Sequence, residues 1–317
     1  MTDNICSDYI SNDTFDWDLN NDLYLVPKFS GVIKNLVFGS GSVKGISIIG
    51  ALAKMQDMGF IDIKNIQKVS GSSVGAIIAC LITIGYNTEK LWNFFKDTPL
   101  DKYVTPDTEN MPLELVTRYG ICNGDEFLEF TNQLICDFME VNTNVTFLEL
   151  YNRTKIELTI TGTCITTKKL EYFNHIITPG MSVALAIRIS SSIPFYFSPV
   201  LYEDKYYIDG GVLDDHPMKI FKDEYEVTIG FAIYSAFECT IDCFENYLIA
   251  MLDTITFNYI NKTKKYENVL YIHNEIILNP VNFAFTSLED KIKLYVQGVN
   301  QAREFVRKQR TYIRNNT

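Results

Sequence analysis

Histidine is scarce in this chain. Only His175, His216 and His273 occur among its 317 residues, and none stands in a motif that signals a catalytic triad. Zinc chemistry lacks material as well. The seven cysteines (Cys6, Cys80, Cys122, Cys136, Cys164, Cys239 and Cys243) include no Cys-x-x-Cys pair, and the two closest lie four apart with no histidine beside them. An odd, scattered set reads as reduced core thiols in a cytosol-like compartment rather than as metal ligands or a disulfide frame. Long apolar runs are missing too, since the greasiest segment, Val74 to Ile84, falls short of the ~18 residues of a spanning helix. Any membrane role is therefore expected to be peripheral. Basic residues are absent where an export signal requires them: Met1 to Asp22 holds six aspartates and no Lys or Arg, which predicts an acidic tail over residues 1–30. The chain also lacks an excess of positive charge, with 28 Lys+Arg against 39 Asp+Glu, a formal charge of −11 and a pI near 4.8. That balance argues against a nucleic-acid partner, whose phosphates would have to be neutralised.

What is present suits one large domain, because 47% hydrophobic residues at this length can bury a sizeable core. From Ile33 onward, short apolar strands alternate with helix-period stretches, the pattern of an α/β sheet with helices on its faces. Residues 33–38 read as a strand that enters a Gly/Ser turn and a helix over 44–58, stopped by Gly59. A second strand over 66–69 enters another Gly/Ser turn and a buried helix over 76–84. Thr146-Phe147-Leu148-Glu149 is a capping-box start. Further strands are expected at 156–165, 170–173, 206–208 and 227–234, with a helix from Thr178-Pro179 through Ile187 and an amphipathic stretch at 241–260.

Two turns and one aspartate carry the chemistry. Ser73 is the centre of Gly71-Ser72-Ser73-Val74-Gly75, between a strand and a helix, where glycines on both sides permit a tight turn. There its hydroxyl stands beside a helix N-terminus that favours developing negative charge. The first turn, Gly39-Ser40-Gly41-Ser42-Val43-Lys44-Gly45, fails as a phosphate-gripping Walker loop because Lys44 precedes Gly45. A dinucleotide fingerprint is nearer, though its last glycine falls one position late. The third reading is an oxyanion hole of consecutive backbone N–H groups. The turn alone leaves nucleotide and oxyanion open. Asp209, in Asp209-Gly210-Gly211 at the end of a strand, is either an ordinary hairpin turn or a base that serves Ser73 without histidine.

The ordered set Ser40-Gly41-Ser42-Val43-Lys44-Gly45, Gly71-Ser72-Ser73-Val74-Gly75 and Asp209-Gly210-Gly211 resembles the patatin-like phospholipases. The stretch from Ala186 to Val200 resembles that family's Ala-x-x-x-Ser-x-x-x-Pro-x-x-Phe-x-Pro-Val segment. The resemblance implies a three-layer α/β/α domain over residues 31–275 with a central, mostly parallel sheet. It implies a lipid acyl hydrolase in which Ser73 attacks a fatty-acyl ester, Asp209 takes its proton, and backbone N–H groups of Gly41, Ser42 and Val43 hold the oxyanion. Lys44, Gly45, Gly71, Gly75, Gly210 and Gly211 would support these turns. The expected partner is a phospholipid or neutral lipid, and neither metal nor cofactor is required. An acyltransferase using the same dyad and a catalytically weak lipid-binding or scaffold protein of the same fold are the alternatives.

Two departures from the family pattern stand out. Ser40 and Ser42 occupy positions that are usually glycine, and Asp215-His216-Pro217 replaces Asn-Asn-Pro. His216 is expected to be a surface turn residue. Residues 276–317 are expected to form a helical extension whose apolar side is Leu288, Ile292, Tyr295, Val299, Ala302, Val306 and Ile313. Its outer face gathers Arg303, Arg307, Lys308, Arg310 and Arg314 against Glu304. That face is either simply solvated or a contact with anionic lipid headgroups that turns the active site toward the bilayer.

Overall fold

The computed structural model describes residue 29 and residues 31–104, 110–234, 266–274 and 287–316, with isolated positions between 241 and 254. The acidic tail expected over 1–30 and most of the 241–260 stretch lie outside the described residues. Strand β1 (Asn35–Phe38) leads through a 3-10 turn, Ser42–Lys44, into α1 (Gly45–Asp57). Strand β2 (Lys68–Gly71) then leads directly into α2 (Val74–Thr83). Next come α3 (Thr88–Asp97), α4 (Met111–Thr117), β3 (Gly120–Cys122), α5 (Asp125–Met139) and α6 (Phe147–Thr154). They are followed by β4 (Glu157–Cys164), β5 (Lys169–Phe173), α7 (Val183–Ser190), β6 (Phe195–Phe197), β7 (Val200–Tyr202) and β8 (Lys205–Asp209). The last described elements are β9 (Thr228–Tyr234), β10 (Val269–His273) and α8 (Leu288–Asn316).

Strands β10, β9, β1, β2 and β4 pair in parallel in that order, and β5 and the β7–β8 hairpin join β4 antiparallel. The result is a mostly parallel sheet flanked by helices. Alternation in β1 sorts its side chains: Leu36 and Phe38 enter the main core, whereas Val37 packs on the opposite side against Met218, Phe221, Ala232 and Val269.

The capping box forms as expected, with Thr146 Oγ1 accepting the Glu149 N–H and Glu149 accepting the Thr146 N–H. The helix expected from Thr178 starts later, at Val183. Asn174 Oδ1 takes the N–H groups of Ile176 and Ile177, and Ser182 caps the helix by accepting the Leu185 N–H. These polar side chains compete for N–H groups that a longer helix would have left unpaired.

Helix α8 forms, and its buried side keeps part of the expected one: Ala302 and Val306 are fully buried in the main core and Tyr295 packs against it, whereas Leu288 and Ile292 are exposed and Leu294, outside the expected stripe, is buried. The cause of the shift is a close crossing with α1. A Cβ added at Gly298 would lie 1.8 Å from the Ser47 carbonyl oxygen, and one at Gly50 would lie 2.1 Å from that of Tyr295. The stripe that follows Gly298 at helical spacing is therefore the one that docks. Gly298→Val is expected to cost about 1–3 kcal/mol of stability through overpacking, read as a lowered urea midpoint. An unchanged midpoint would contradict the close crossing.

Candidate active site

The register on β4 brings the two key strands together. Strand β2 runs along β4 from Lys68 opposite Glu157 to Gly71 opposite Ile160. Strand β5 covers β4 from Ile160 to Cys164, and β8 descends on it from Tyr207 opposite Cys164 to Asp209 opposite Gly162. Ile160 is paired by both β2 and β5, and Gly162 by both β5 and β8. A strand has only two edges, so β2 and β8 lie on the same edge of β4 and meet head to head. Their ends, Gly71 and Asp209, face residues two apart on β4, a separation of about 7 Å along that strand.

Ser73 stands in the gap between those ends. Its φ of 55° and ψ of −124° are unusual for a side chain of any size, and such backbone costs on the order of 1–3 kcal/mol. The flanking glycines make the turn possible by proximity. A Cβ on Gly71 would lie 2.1 Å from the Gly75 carbonyl oxygen, and one on Gly75 would lie 2.2 Å from that of Phe38. The Ser73 amide donates to Ser190 Oγ at 3.0 Å, and Ser73 stands at the N-cap position of α2 without a side-chain capping bond.

Asp209 is buried, and its Oδ1 accepts the Gly211 amide at 2.7 Å. Burial pushes its carboxyl up from the ordinary carboxylate range to about 7, while the Gly211 amide and the neighbouring Ser73 hydroxyl pull the other way. The structure thus joins Ser73 and Asp209, residues far apart in sequence, into a serine–carboxylate pair poised near neutrality.

The Gly/Ser loop lies against both. A Cβ on Gly45 would lie 2.7 Å from Val74 Cγ2, beside the Ser73 turn, and one on Gly211 would lie 2.4 Å from Ser40 Oγ. Within the loop, the Ser40 amide is committed to the Asp215 carbonyl at 2.8 Å and the Lys44 amide to the Gly41 carbonyl at 3.0 Å. Both committed amides lie outside the donor stretch expected at Gly41, Ser42 and Val43. Gly41 has φ 151° and Ser42 φ 52°. The serine that replaces the family's glycine therefore adopts the left-handed backbone that glycine takes at no cost. Ser40 does not. Lys44 is buried, a position that suits support of the loop rather than attraction of headgroups.

His216 corrects an expectation. It is buried rather than at the surface, its ring against the backbone of Gly230, where a Cβ would lie 2.5 Å from Nε2. Burial depresses it to about 3, so it is neutral. What its segment contributes is the Asp215 carbonyl that holds Ser40.

A family model of patatin-like phospholipases matches residues 36–222, a span that contains the loop, Ser73 and Asp209. The chain belongs to the patatin-like phospholipase family. An uncharacterized protein of Acanthamoeba polyphaga mimivirus is 32% identical over 198 residues, 62% of this chain and 64% of its own. A probable lipid hydrolase of Invertebrate iridescent virus 6 is 27% identical over 217 residues, 64% and 71% respectively. The matched region thus spans just under two thirds of the mimivirus protein. Among solved structures, VipD from Legionella pneumophila superposes with a TM-score of 0.59 at 18% identity, over 89% of this chain and 68% of that one, a likeness of fold.

In this patatin-like domain the basic residues of α8 are not brought to the dyad. Arg310 donates to the Met58 carbonyl, just past the end of α1 opposite the loop, and α1 is about 20 Å long. Arg303 bonds Asn300, while Arg307 and Lys308 are exposed. Missed from sequence alone was the part played by β4, whose only signal was its length.

The raised Asp209 carboxyl has a consequence for stability. Between about pH 4 and pH 7 the folded chain holds a proton there that the unfolded chain releases, so stability falls as pH rises through that window and the penalty is complete above it. Asp209→Asn is therefore expected to be more stable than the parent at pH 8, by up to about 4 kcal/mol, with the gap closing near pH 4. Equal urea midpoints at pH 8 would contradict the burial of a charged carboxylate.

Proposed function

We propose that this chain is a lipid acyl hydrolase of the phospholipase A or lipase type, acting on fatty-acyl esters of phospholipid or neutral lipid. The observation that carries the proposal is the head-to-head meeting of β2 and β8 on β4, which sets the Ser73 turn beside the buried Asp209 carboxylate. In the first step Asp209 takes the Ser73 proton as Oγ bonds to the ester carbonyl carbon. The oxygen gains negative charge and is met by the N–H groups of the Gly41-Ser42-Val43 stretch. Collapse breaks the ester bond, and the departing alkoxide takes the proton from Asp209. A water then gives its proton to Asp209 and attacks the acyl-enzyme. The second collapse returns the proton to Ser73 and releases the fatty acid.

A carboxyl near 7 suits this task better than an ordinary aspartate, because the best base has a pKa close to the working pH. The iridescent-virus relative named as a probable lipid hydrolase supports the substrate class. One observation bears on slower turnover: Ser42, where the family has glycine, holds a left-handed backbone at an energetic cost in the donor stretch, and removal of one oxyanion donor costs ~3 kcal/mol. A lipid-binding role with weak turnover is the second reading.

The base form of Asp209 is the active one, so hydrolysis of a fatty-acyl ester is expected to rise with pH through about 7. Ser73→Ala and Asp209→Asn are each expected to lower kcat by roughly 10²–10⁴-fold. Fatty acid released from mixed phospholipid and triglyceride vesicles, followed by mass spectrometry, measures this. Full activity in Ser73→Ala would exclude the proposed nucleophile, and the absence of turnover in the parent would favour the lipid-binding reading.

A further inference from the structure

The last turn of α7 touches both members of the pair. Ser190 Oγ accepts the Ser73 amide at 3.0 Å, and two residues on, the Ser192 carbonyl accepts the Asp209 amide at 2.9 Å. Both serines are fully buried. The turn is fastened from behind by Arg188, a cation only 3% exposed. Its guanidinium donates to Ser192 Oγ, to the carbonyls of Asn123 at 2.6 Å and Gly124 at 3.2 Å, and to the Ser198 carbonyl at 3.1 Å. It also stacks 4.8 Å from the Phe197 ring centroid. All four acceptors are neutral, and no ion pair to Arg188 occurs among the described residues. Gly124 makes room, since a Cβ there would lie 2.1 Å from Arg188 Nε.

A buried cation held by neutral acceptors is a poor stability device, because desolvation is repaid only by hydrogen bonds. Its planar fork does secure three carbonyls from two backbone segments and one side chain at fixed angles, which an ammonium cannot do. We propose that the last turn of α7 is a spacer that sets the distance between Ser73 and Asp209, with Ser190 and Arg188 as its positioning residues. The inference rests on Ser73 and Asp209 being the reacting pair. Ser190 holds the nucleophile's turn by its amide, leaving the hydroxyl to Asp209. Arg188 holds Ser192, whose carbonyl anchors the base strand. A misplacement of about 1 Å in such a pair costs up to roughly 100-fold in rate.

The test uses the full chain with a soluble fatty-acyl ester and a fluorophosphonate. Ser190→Ala is expected to lower kcat and the phosphonylation rate together by roughly 10- to 100-fold, with KM within about twofold of the parent value. Because the Ser73 hydroxyl lowers the Asp209 carboxyl, loosening the pair is expected to move the acid limb of the rate profile to higher pH. Ser190→Thr, which keeps the acceptor, is expected to restore most of the rate and the parent pH limb. Arg188→Lys is expected to show the same kcat loss and the same shift. Unaltered kcat and pH limb in Ser190→Ala would overturn the spacer. So would a rate loss in both variants that follows a fall in the unfolding midpoint with no movement of the pH limb. Ser73→Ala separates the two layers of the argument. If it is inert while Ser190→Ala is fully active, only the spacer fails, and if it reacts like the parent, the pair itself and the spacer with it are wrong.

Discussion

Strand β4 is the constraint on which the site depends. Its eight residues are long enough to carry β2 on the lower part of one edge and β8 on the upper part of the same edge, with β5 on the other. Two strands cannot occupy one stretch of edge, so β2 must leave the sheet where β8 arrives. The chain leaves through the Ser73 turn, and the arriving chain ends in Asp209. Backbone hydrogen bonding, cooperative along three strands, therefore sets the approach of Ser73 and Asp209 before either side chain contributes. Gly162, opposite Asp209, admits Phe173 and Ile189 so closely that a Cβ would lie 2.6 and 2.8 Å from their side chains, which packs the junction firmly.

Against this frame the site holds destabilising features. Ser73 and Ser42 take positive φ, and Asp209 is charged in a buried place at neutral pH. The two strained residues cost on the order of 1–3 kcal/mol each and the buried carboxylate up to about 4 kcal/mol, sums that a domain of this size tolerates only with a large core. The continuous apolar faces of α1 and α2, and the α8 stripe laid over α1, supply that core. Packing connects α8 to the site: α8 lies on α1, α1 begins at the Gly/Ser loop, and the loop lies against the Ser73 turn and Gly211.

Much of this was legible in sequence because it is local. Strand, Gly/Ser turn and helix recur twice with the right period, and Gly71-x-Ser73-x-Gly75 announces a tight turn whose glycines prove to be required by backbone contacts of 2.1 and 2.2 Å. What escaped was set by distant partners. His216 looked like a turn residue because nothing near it reveals that Gly230 leaves room for its ring. Only the N-terminal part of the α8 stripe was misplaced, Leu294 being buried where Leu288 and Ile292 were expected, because Gly298 reads as a weak helix residue until Gly50 is seen across from it. The helix at Thr178 was drawn too early because the Asn174 and Ser182 side chains take the amides first. The head-to-head meeting on β4 has no local signature at all, since two hairpins and a parallel crossover must be paired before it exists.

The central claim is that Ser73 is made nucleophilic by Asp209. Peptide mapping of the full chain after reaction with a fluorophosphonate at pH 8 tests it most directly. The account predicts one phosphonyl adduct, on Ser73 in the peptide that contains Gly71 and Gly75, and its disappearance when Asp209 is replaced by Asn. An adduct on another residue, or undiminished labelling of Ser73 in the Asp209→Asn protein, would contradict it.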